Sequence, residues 1–215
     1  MPSTERPVTR LYARVAGVYD AWTYFTESRS LDVALEEARI GDTACVLEVA
    51  VGTGVAFREV LRRNPSGRNV GIDITEPMLR RAREKAERAG VPFELLLGDA
   101  GSLPFADATF DVVMNNNMLG VVPESLVAPI VSEIFRVLRP GGRLVIVTMQ
   151  RPRNRFSEIV YQVGAVWLGG WRDIDVAPAV RSIGFVDVRS RTVTQLGIPS
   201  EVLSARKPAL VEGGM

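Results

Sequence analysis

The sequence contains no histidine among its 215 residues. Histidine is the side chain that most often acts as a general base near neutral pH, and it is a frequent ligand of catalytic metals. Its absence excludes every Ser-His and Cys-His catalytic pair, and we predict no metal site. Any proton transfer must therefore use a carboxylate, a tyrosine or the substrate itself.

Cysteine, long apolar runs and excess charge are also scarce. Cys45 is the single cysteine, which excludes an internal disulfide framework and favours the cytoplasm. No stretch of 18 apolar residues occurs, so we expect neither a transmembrane helix nor a secretory signal. The 26 basic and 25 acidic residues leave a net charge of +1, which gives no reason to expect nucleic-acid binding. A chain of this length is ample for one domain with its own core.

The most informative stretch is residues 45–54, CVLEVAVGTG. An apolar run bounded by glycine is typical of a strand that is buried on both faces, as in a parallel sheet. Gly52 and Gly54 lack a Cβ atom where the chain must turn sharply and where a ligand would approach the main chain. A helical pattern follows from Val55 to Arg63. The arrangement predicts a small-ligand site, although a Gly-x-Gly alone is equally consistent with a structural turn.

After Glu48 in the first strand, a second acid, Asp73, follows the glycines at the spacing that is typical of a nucleoside site. Asp73 ends the next strand-like run, where a doubly wound sheet positions an acid over ribose hydroxyls. A dinucleotide site would need a further glycine at position 57, which is Phe57. Residues 48–54 read acid-x-Ala-x-Gly-x-Gly and resemble the acid-x-Gly-x-Gly-x-Gly signature of the class I S-adenosylmethionine-dependent methyltransferases. Ala50 stands in place of the first glycine, so the cofactor must tolerate its methyl group.

The resemblance implies S-adenosylmethionine as the cofactor and extends in order and spacing over residues 45–149. Asp73 would hold the ribose hydroxyls, Asp99 would accept from the adenine amino group, and the Ala100 amide would donate to the adenine ring. Met78 would rest on the adenine, although core packing explains it equally well. The full set of cofactor-binding residues that the resemblance implies is Tyr19, Glu48, Ala50, Gly52, Gly54, Asp73, Ile74, Met78, Asp99, Ala100, Asn115 and Asn116.

The string at residues 12–20, YARVAGVYD, resembles the opening helix of the ubiquinone and menaquinone C-methyltransferase-like group. In those relatives this helix folds over the cofactor, and the tyrosine that matches Tyr19 lies near the methyl donor. Tyr19 is therefore the candidate for catalytic positioning of the acceptor. The alternative is a helix whose tyrosines simply pack on the sheet domain.

Alternating strand and helix patterns predict an α/β fold, a Rossmann-like sheet of seven mostly parallel strands with helices on both faces and an N-terminal helical cap. Within it we predict helices from Pro129 to Leu138 and from Ile174 to Ile183, a fifth strand from Arg143 to Met149, and Thr75 as an N-cap. The chain is expected to be a single methyltransferase domain over residues 1–215. Its parts are a cap (9–40), a cofactor-binding core (41–149), and an acceptor-side insert with the last strands (150–207).

We expect in-line methyl transfer to a small, apolar or aromatic, quinone-like acceptor. The aromatic residues that flank the predicted site are Trp22, Tyr24, Phe25, Trp167 and Trp171. Asn115 to Asn117, at the end of the predicted fourth strand, can orient a polar group. Residues 159–171 can form a lid, an interface or a contact with a membrane surface, so a peripheral membrane contact stays open. Two alternatives also stay open: N- or O-methylation of a phospholipid or other small molecule, and a non-catalytic nucleoside-binding protein.

Overall fold

The computed structural model describes residues 28–154, 157–158, 161–162 and 172–210. No helix within these ranges is long and apolar enough to cross a membrane. Most of the predicted cap and all of residues 163–171 lie outside the described residues. The same holds for Tyr19, Trp22, Tyr24, Phe25, Trp167 and Trp171.

The described strands form one seven-stranded sheet in the order β3-β2-β1-β4-β5-β7-β6. Neighbours from β3 to β5 run parallel, and β7 lies antiparallel between β5 and β6. The predicted seven-stranded, mostly parallel sheet is therefore confirmed. The strands are β1 (Cys45–Val49), β2 (Arg68–Asp73), β3 (Glu94–Leu97), β4 (Phe110–Asn116), β5 (Leu138–Met149), β6 (Val186–Gln195) and β7 (Ile198–Arg206).

Helices cover both faces of this sheet. The described helical segments are α1 (residues 28–38), α2 (Val55–Arg63), α3 (Glu76–Glu87), α4 (Glu124–Val137) and α5 (Ala177–Ile183), together with residues 157–158 and 161–162. Side chains alternate along a strand, so Val46 of β1 joins the cluster under α1, whereas Leu47 joins the cluster under α4 and α5. Both side chains are fully buried. Burial on both faces explains why the first strand is a continuous apolar run.

The predicted start of α4 is wrong by five residues. The helix begins at Glu124, and Pro129 lies inside it. A proline cannot donate a hydrogen bond to the carbonyl four residues earlier, but here that carbonyl belongs to Ser125, which is exposed and accessible to water. Val127 and Ile130 lie on the buried face, so packing against the sheet outweighs the lost bond.

Two further boundaries differ from the predictions. α5 begins at Ala177 rather than Ile174, because the Ala177 amide donates to Asp175 Oδ1 over 3.0 Å and fixes the turn before it. β5 begins at Leu138, before the glycine turn, rather than at Arg143. Thr75 does occupy the N-cap position of α3, but its side chain makes no capping bond. The Thr75 hydroxyl donates to Asp73 instead.

Candidate functional site

The turn after β1 is built from residues with left-handed backbone conformations. Ala50, Gly52 and Gly54 have φ angles of 58°, 54° and 79°. A Cβ atom added to Gly52 would meet nothing nearer than the Ala50 carbonyl oxygen at 4.0 Å, so this glycine faces open space. A Cβ atom added to Gly54 would lie 2.7 Å from the Ala82 Cα atom. Gly52 thus leaves room for a ligand, whereas Gly54 lets α2 approach α3.

Asp73, at the end of β2, holds this turn in place. Its Oδ2 accepts a hydrogen bond from the Gly52 amide over 2.8 Å, and its Oδ1 accepts from the Thr75 amide and hydroxyl over 2.9 Å each. Burial raises the pKa of the Asp73 carboxyl above its ordinary value, and these hydrogen bonds oppose the shift. The carboxyl still lines a cavity, and each oxygen has two lone pairs. Asp73 can therefore fix the turn and bind a hydroxyl group at once.

Glu48 lies beneath the same turn and is 1% exposed. Its Oε1 accepts a hydrogen bond from Asn116 Nδ2 over 3.0 Å. Its Oε2 is buried and accepts no hydrogen bond from any residue that the structure describes. Burial raises the pKa of Glu48 to about 8, although the bond from Asn116 acts in the opposite direction. A buried polar atom without a partner is uncommon in a folded protein, and it marks a place where a polar ligand can bind.

Two cavities flank the turn at the carboxyl ends of β1, β2 and β4. The first has a volume of about 720 Å³ and lies on the Asp73 side. The second has a volume of about 450 Å³ and lies between α1 and α2, with Glu48 in its wall. Ala50, Gly52, Asn116 and Asn117 line both cavities. Crevices at this edge of a doubly wound sheet are the usual ligand sites of such folds.

The structure brings most of the predicted site residues to these cavities. Those that line the first cavity are Ala50, Gly52, Asp73, Ile74, Met78, Asp99, Ala100 and Asn116. Glu48 lines the second cavity. Asn115 and Gly54 line neither: Asn115 is fully buried and donates to the Val49 carbonyl over 2.8 Å, and Gly54 packs on α3. Asp99 is exposed, and its Oδ1 accepts from the Gly101 amide over 2.8 Å.

One wall of the first cavity was not predicted from the sequence. It is apolar and consists of Met118, Val121, Val122, Leu126 and Ile130. The helix predicted from Pro129 to Leu138 does not include Leu126, whereas the observed helix begins at Glu124 and does. The spacing of four residues between Leu126 and Ile130 was the available signal for a common helix face.

Arg172 also lines the first cavity and was not predicted. Its amide donates to the Gly120 carbonyl over 2.9 Å, which joins the segment before α5 to the loop after β4. Nothing in the local sequence pattern indicates this contact. Within the described parts of the chain, no group of three or more Cys, Asp or Glu side chains is arranged to hold a metal ion.

Comparison with known proteins identifies the domain that carries these cavities. Residues 46–142 match a family described as methyltransferase domain. A demethylmenaquinone methyltransferase from Thermus thermophilus is 37% identical over 135 residues, which span 63% of this chain and 59% of that protein. A phosphatidylethanolamine N-methyltransferase from Cereibacter sphaeroides is 42% identical over 144 residues, which span 65% of this chain and 66% of that protein. The matched part of the chain thus spans 59% and 66% of the lengths of these two relatives.

A solved structure gives a similar result for the fold. Phosphoethanolamine N-methyltransferase 2 from Haemonchus contortus, in complex with S-adenosyl-L-methionine, superposes with a TM-score of 0.73. The match covers 97% of this chain and 61% of that chain at 15% sequence identity. At so low an identity the likeness concerns the fold alone.

Proposed function

This chain belongs to the class I S-adenosylmethionine-dependent methyltransferases, and we propose that it methylates a small, apolar or aromatic acceptor of the quinone type. The observation that carries the proposal is the first cavity, which combines the polar cofactor motifs with an apolar wall at the carboxyl edge of the sheet. The 37% identity to a demethylmenaquinone methyltransferase supports the same acceptor class.

The residues around the two cavities fit S-adenosylmethionine. Glu48, Ala50 and Gly52 would hold the methionine end, where the buried Oε2 of Glu48 still lacks a partner among the described residues. Asp73 would bind the ribose hydroxyls. The binding site for the adenine, and its junction with the methionine end, would be formed by Ile74, Met78, Asp99, Ala100 and Asn116. Gly54 and Asn115 would act indirectly, by shaping the turn and the end of β4.

When bound, the cofactor supplies a methyl group that is already activated by its sulfonium. The protein itself therefore needs to align the acceptor with that methyl group and to exclude water. Asn116 and Asn117 line both cavities and can orient a polar group of the acceptor. Tyr19 stays our candidate for positioning the acceptor, and it lies outside the described residues.

The apolar wall supports an apolar acceptor. Met118, Val122 and Leu126 border the first cavity beside the cofactor motifs. Small-molecule sites are mostly apolar, with a few polar groups that fix orientation. A phospholipid head-group amine is the second candidate, because the relative that is 42% identical is a phosphatidylethanolamine N-methyltransferase.

We also propose that the whole chain acts as a single domain. α1 packs through Ala34, Leu35 and Ala38 on the sheet face that contains Val46 and Val145, so the end of the proposed cap is continuous with the core. In this arrangement residues 9–40 would cover the cofactor, residues 41–149 would bind it, and residues 150–207 would border the acceptor. The free thiol of Cys45 is compatible with a reducing, cytoplasmic location.

The test is a transfer assay with S-adenosylmethionine that carries a labelled methyl group. The acceptors are a demethylated naphthoquinol with a short side chain and vesicles that contain phosphatidylethanolamine, with products identified by mass spectrometry. We expect label on the naphthoquinol ring carbon. Label on the phospholipid amine would establish the second candidate. Cofactor binding in calorimetry without transfer to either acceptor would contradict both and favour a nucleoside-binding protein.

A further inference from the structure

Four arginines from four different segments meet at the edge of the sheet opposite the cofactor cavities. This arginine cluster consists of Arg39, which follows α1, Arg143 of β5, Arg189 of β6 and Arg206 of β7. In the strand register Arg143 lies directly opposite Arg206, and Arg189 lies opposite Ser204. Residues opposite one another on neighbouring strands have Cβ atoms about 5 Å apart. The fold thus concentrates positive charge that is scattered along the sequence.

All members of the cluster lie on the sheet face that α1 covers. Side chains two residues apart on a strand share a face, so Arg206 lies beside Ser204. The Ser204 hydroxyl donates to Glu37 Oε2 of α1 over 3.1 Å, which identifies this face. Val145, two residues after Arg143, packs under α1 in the same way.

Arg143 is the centre of the cluster and is half-buried. Its pKa is lowered, first by burial and then by the positive charges of Arg39, Arg206 and Arg189, while Glu37 acts in the opposite direction. No carboxylate that the structure describes forms an ion pair with any of the four guanidinium groups, although other arginines, such as Arg68 with Glu94, are paired. Glu37 therefore offsets part of the mutual repulsion among the four cations, and no ion pair within the described residues offsets the rest.

A cavity of about 540 Å³ borders the cluster at the amino ends of β4 and β5. Arg39, Arg139 and Arg143 line it, together with the acids Asp42 and Asp111. Asp111 is already engaged on both oxygens, by Arg139 Nη1 over 2.7 Å and by the Cys45 amide over 2.8 Å. Among the described residues, Asp42 and Glu37 are thus the remaining acids near Arg39 and Arg143.

We propose that the arginine cluster binds the phosphate group of an anionic ligand, at a site separate from the methyl-transfer site. Guanidinium groups match phosphate oxygens in geometry and form paired, charge-assisted hydrogen bonds with them. A dianionic phosphate would offset the repulsion around Arg143. The phosphate can belong to a small soluble molecule or to a lipid head group, and the two share this chemistry.

The experiment uses the full chain and two probes at low ionic strength, because salt screens exposed charges. Pyrophosphate binding is measured by calorimetry, and flotation is measured with phosphatidylcholine vesicles with and without phosphatidic acid. The cluster variant is Arg143→Gln with Arg206→Gln. The matched control is Arg80→Gln with Arg88→Gln. Both arginines are exposed and lie in the α3 region, and their replacement lowers the net charge by the same amount.

We expect saturable binding of wild type to at least one probe, a loss of about tenfold or more in the cluster variant, and a change within about twofold in the control. Binding to pyrophosphate alone identifies a soluble ligand, and binding to phosphatidic acid vesicles alone identifies a lipid. Absence of wild-type binding to both probes, or an equal loss in the control, overturns the proposal.

Arg39→Gly tests the proposal independently in case the double variant does not fold. Arg39 has φ 45°, a conformation that glycine adopts freely, so this change removes one guanidinium without straining the backbone. It should weaken phosphate binding while the affinity for S-adenosylmethionine stays unchanged. If Arg39→Gly lowers both affinities together, the two sites are not separate.

Discussion

Asn116 donates a hydrogen bond from Nδ2 to Oε1 of Glu48 over 3.0 Å and so joins the end of β4 to β1 beneath the glycine turn. The two residues are 68 positions apart in the chain. The bond satisfies one carboxyl oxygen of Glu48 and leaves the buried Oε2 directed at no described partner. The Glu48 carboxyl therefore sits under the turn with its pKa raised to about 8.

The first prediction concerns the pH dependence of stability. The pKa of Glu48 rises from its ordinary 4.5 to about 8 on folding, so the folded protein retains a proton that the unfolded chain releases. The stabilisation is present below pH 4.5 and is lost as the pH rises towards 8. Over that range the free energy of unfolding should fall by up to about 1.4 kcal/mol per pH unit more in wild type than in Glu48→Gln. Urea unfolding at several pH values measures the difference.

Glu94→Gln is the opposite-sign control for that experiment. The hydrogen bond from Arg68 lowers the pKa of Glu94, so its contribution is present above the ordinary pKa and is lost at lower pH. Glu94→Gln should change the pH dependence of the free energy of unfolding only below about pH 4.5. Parallel stability curves for wild type and Glu48→Gln from pH 4.5 to 8 would show that Glu48 does not hold its proton.

The second prediction concerns Ala50, which has φ 58° at the position where the methyltransferase signature that residues 48–54 resemble has glycine. A left-handed conformation costs a residue with a Cβ atom roughly 1–2 kcal/mol, and glycine avoids this cost. Glycine also makes the unfolded chain more flexible, which cancels part of the gain in the free energy of unfolding. Ala50→Gly should therefore raise the free energy of unfolding by about 0.5–1 kcal/mol. Ala108→Gly, at φ 53° and remote from the cavities, should give a similar gain. A loss in Ala50→Gly alone would mean that the Ala50 methyl group makes necessary contacts.

The fold could be predicted wherever the signals are local. α2 spans Val55–Arg63 as predicted, because a glycine turn precedes it and Asn64 and Pro65 end it. The strand around Glu48 was predictable because burial on both faces leaves a continuous apolar run. The start of α4 was not, since Pro129 is a strong local breaker that tertiary packing overrides.

The candidate site could be predicted only as a set of residue types at expected edges. The sequence indicated Asp73 near the turn, but not that its two oxygens already hold the Gly52 amide and the Thr75 side chain. Nor could a net charge of +1 reveal the arginine cluster, because strand register brings Arg143 and Arg206 together from positions 63 residues apart. Such contacts depend on the sheet order, which no local pattern encodes.

The third prediction compares the two glycines of the turn. Gly54→Ala would place a Cβ atom 2.7 Å from the Ala82 Cα atom and should lower the free energy of unfolding by roughly 2–4 kcal/mol. Gly52→Ala meets open space, so only its φ of 54° should cost stability, by roughly 1 kcal/mol. Affinity for S-adenosylmethionine should fall in folded Gly52→Ala. Equal stability losses in the two variants would contradict the assignment of Gly54 to helix packing.

The fourth prediction concerns Asp73→Asn. In either orientation the new amide nitrogen faces a backbone N–H, that of Gly52 or that of Thr75, from which it cannot accept a hydrogen bond, and the group loses an acceptor for ribose hydroxyls. Affinity for S-adenosylhomocysteine in calorimetry should weaken by about 1–3 kcal/mol. Thr75→Val, which loses only the hydroxyl bond to Asp73, should weaken it less. Asp107→Asn, an exposed control, should leave it unchanged. Unaltered affinity in Asp73→Asn would reject the proposed ribose contact.

The last prediction concerns Arg136 of α4, which forms hydrogen bonds with the segment before β4 that contains Leu103 and Phe105. Its guanidinium donates to both oxygens of Glu133 over 2.8 Å and to the carbonyls of Leu103 and Phe105 over 2.9 and 2.7 Å. A lysine ammonium cannot reproduce this planar fork, so Arg136→Lys should lower the free energy of unfolding by roughly 1–3 kcal/mol. Arg62→Lys, in an exposed pair with Glu59, should change it by less than about 0.5 kcal/mol. Hydrogen exchange should show the loss first at the Leu103 amide, which donates to Glu133 Oε2 over 2.8 Å. Stability and exchange that match wild type would mean that water replaces the guanidinium at these carbonyls without cost.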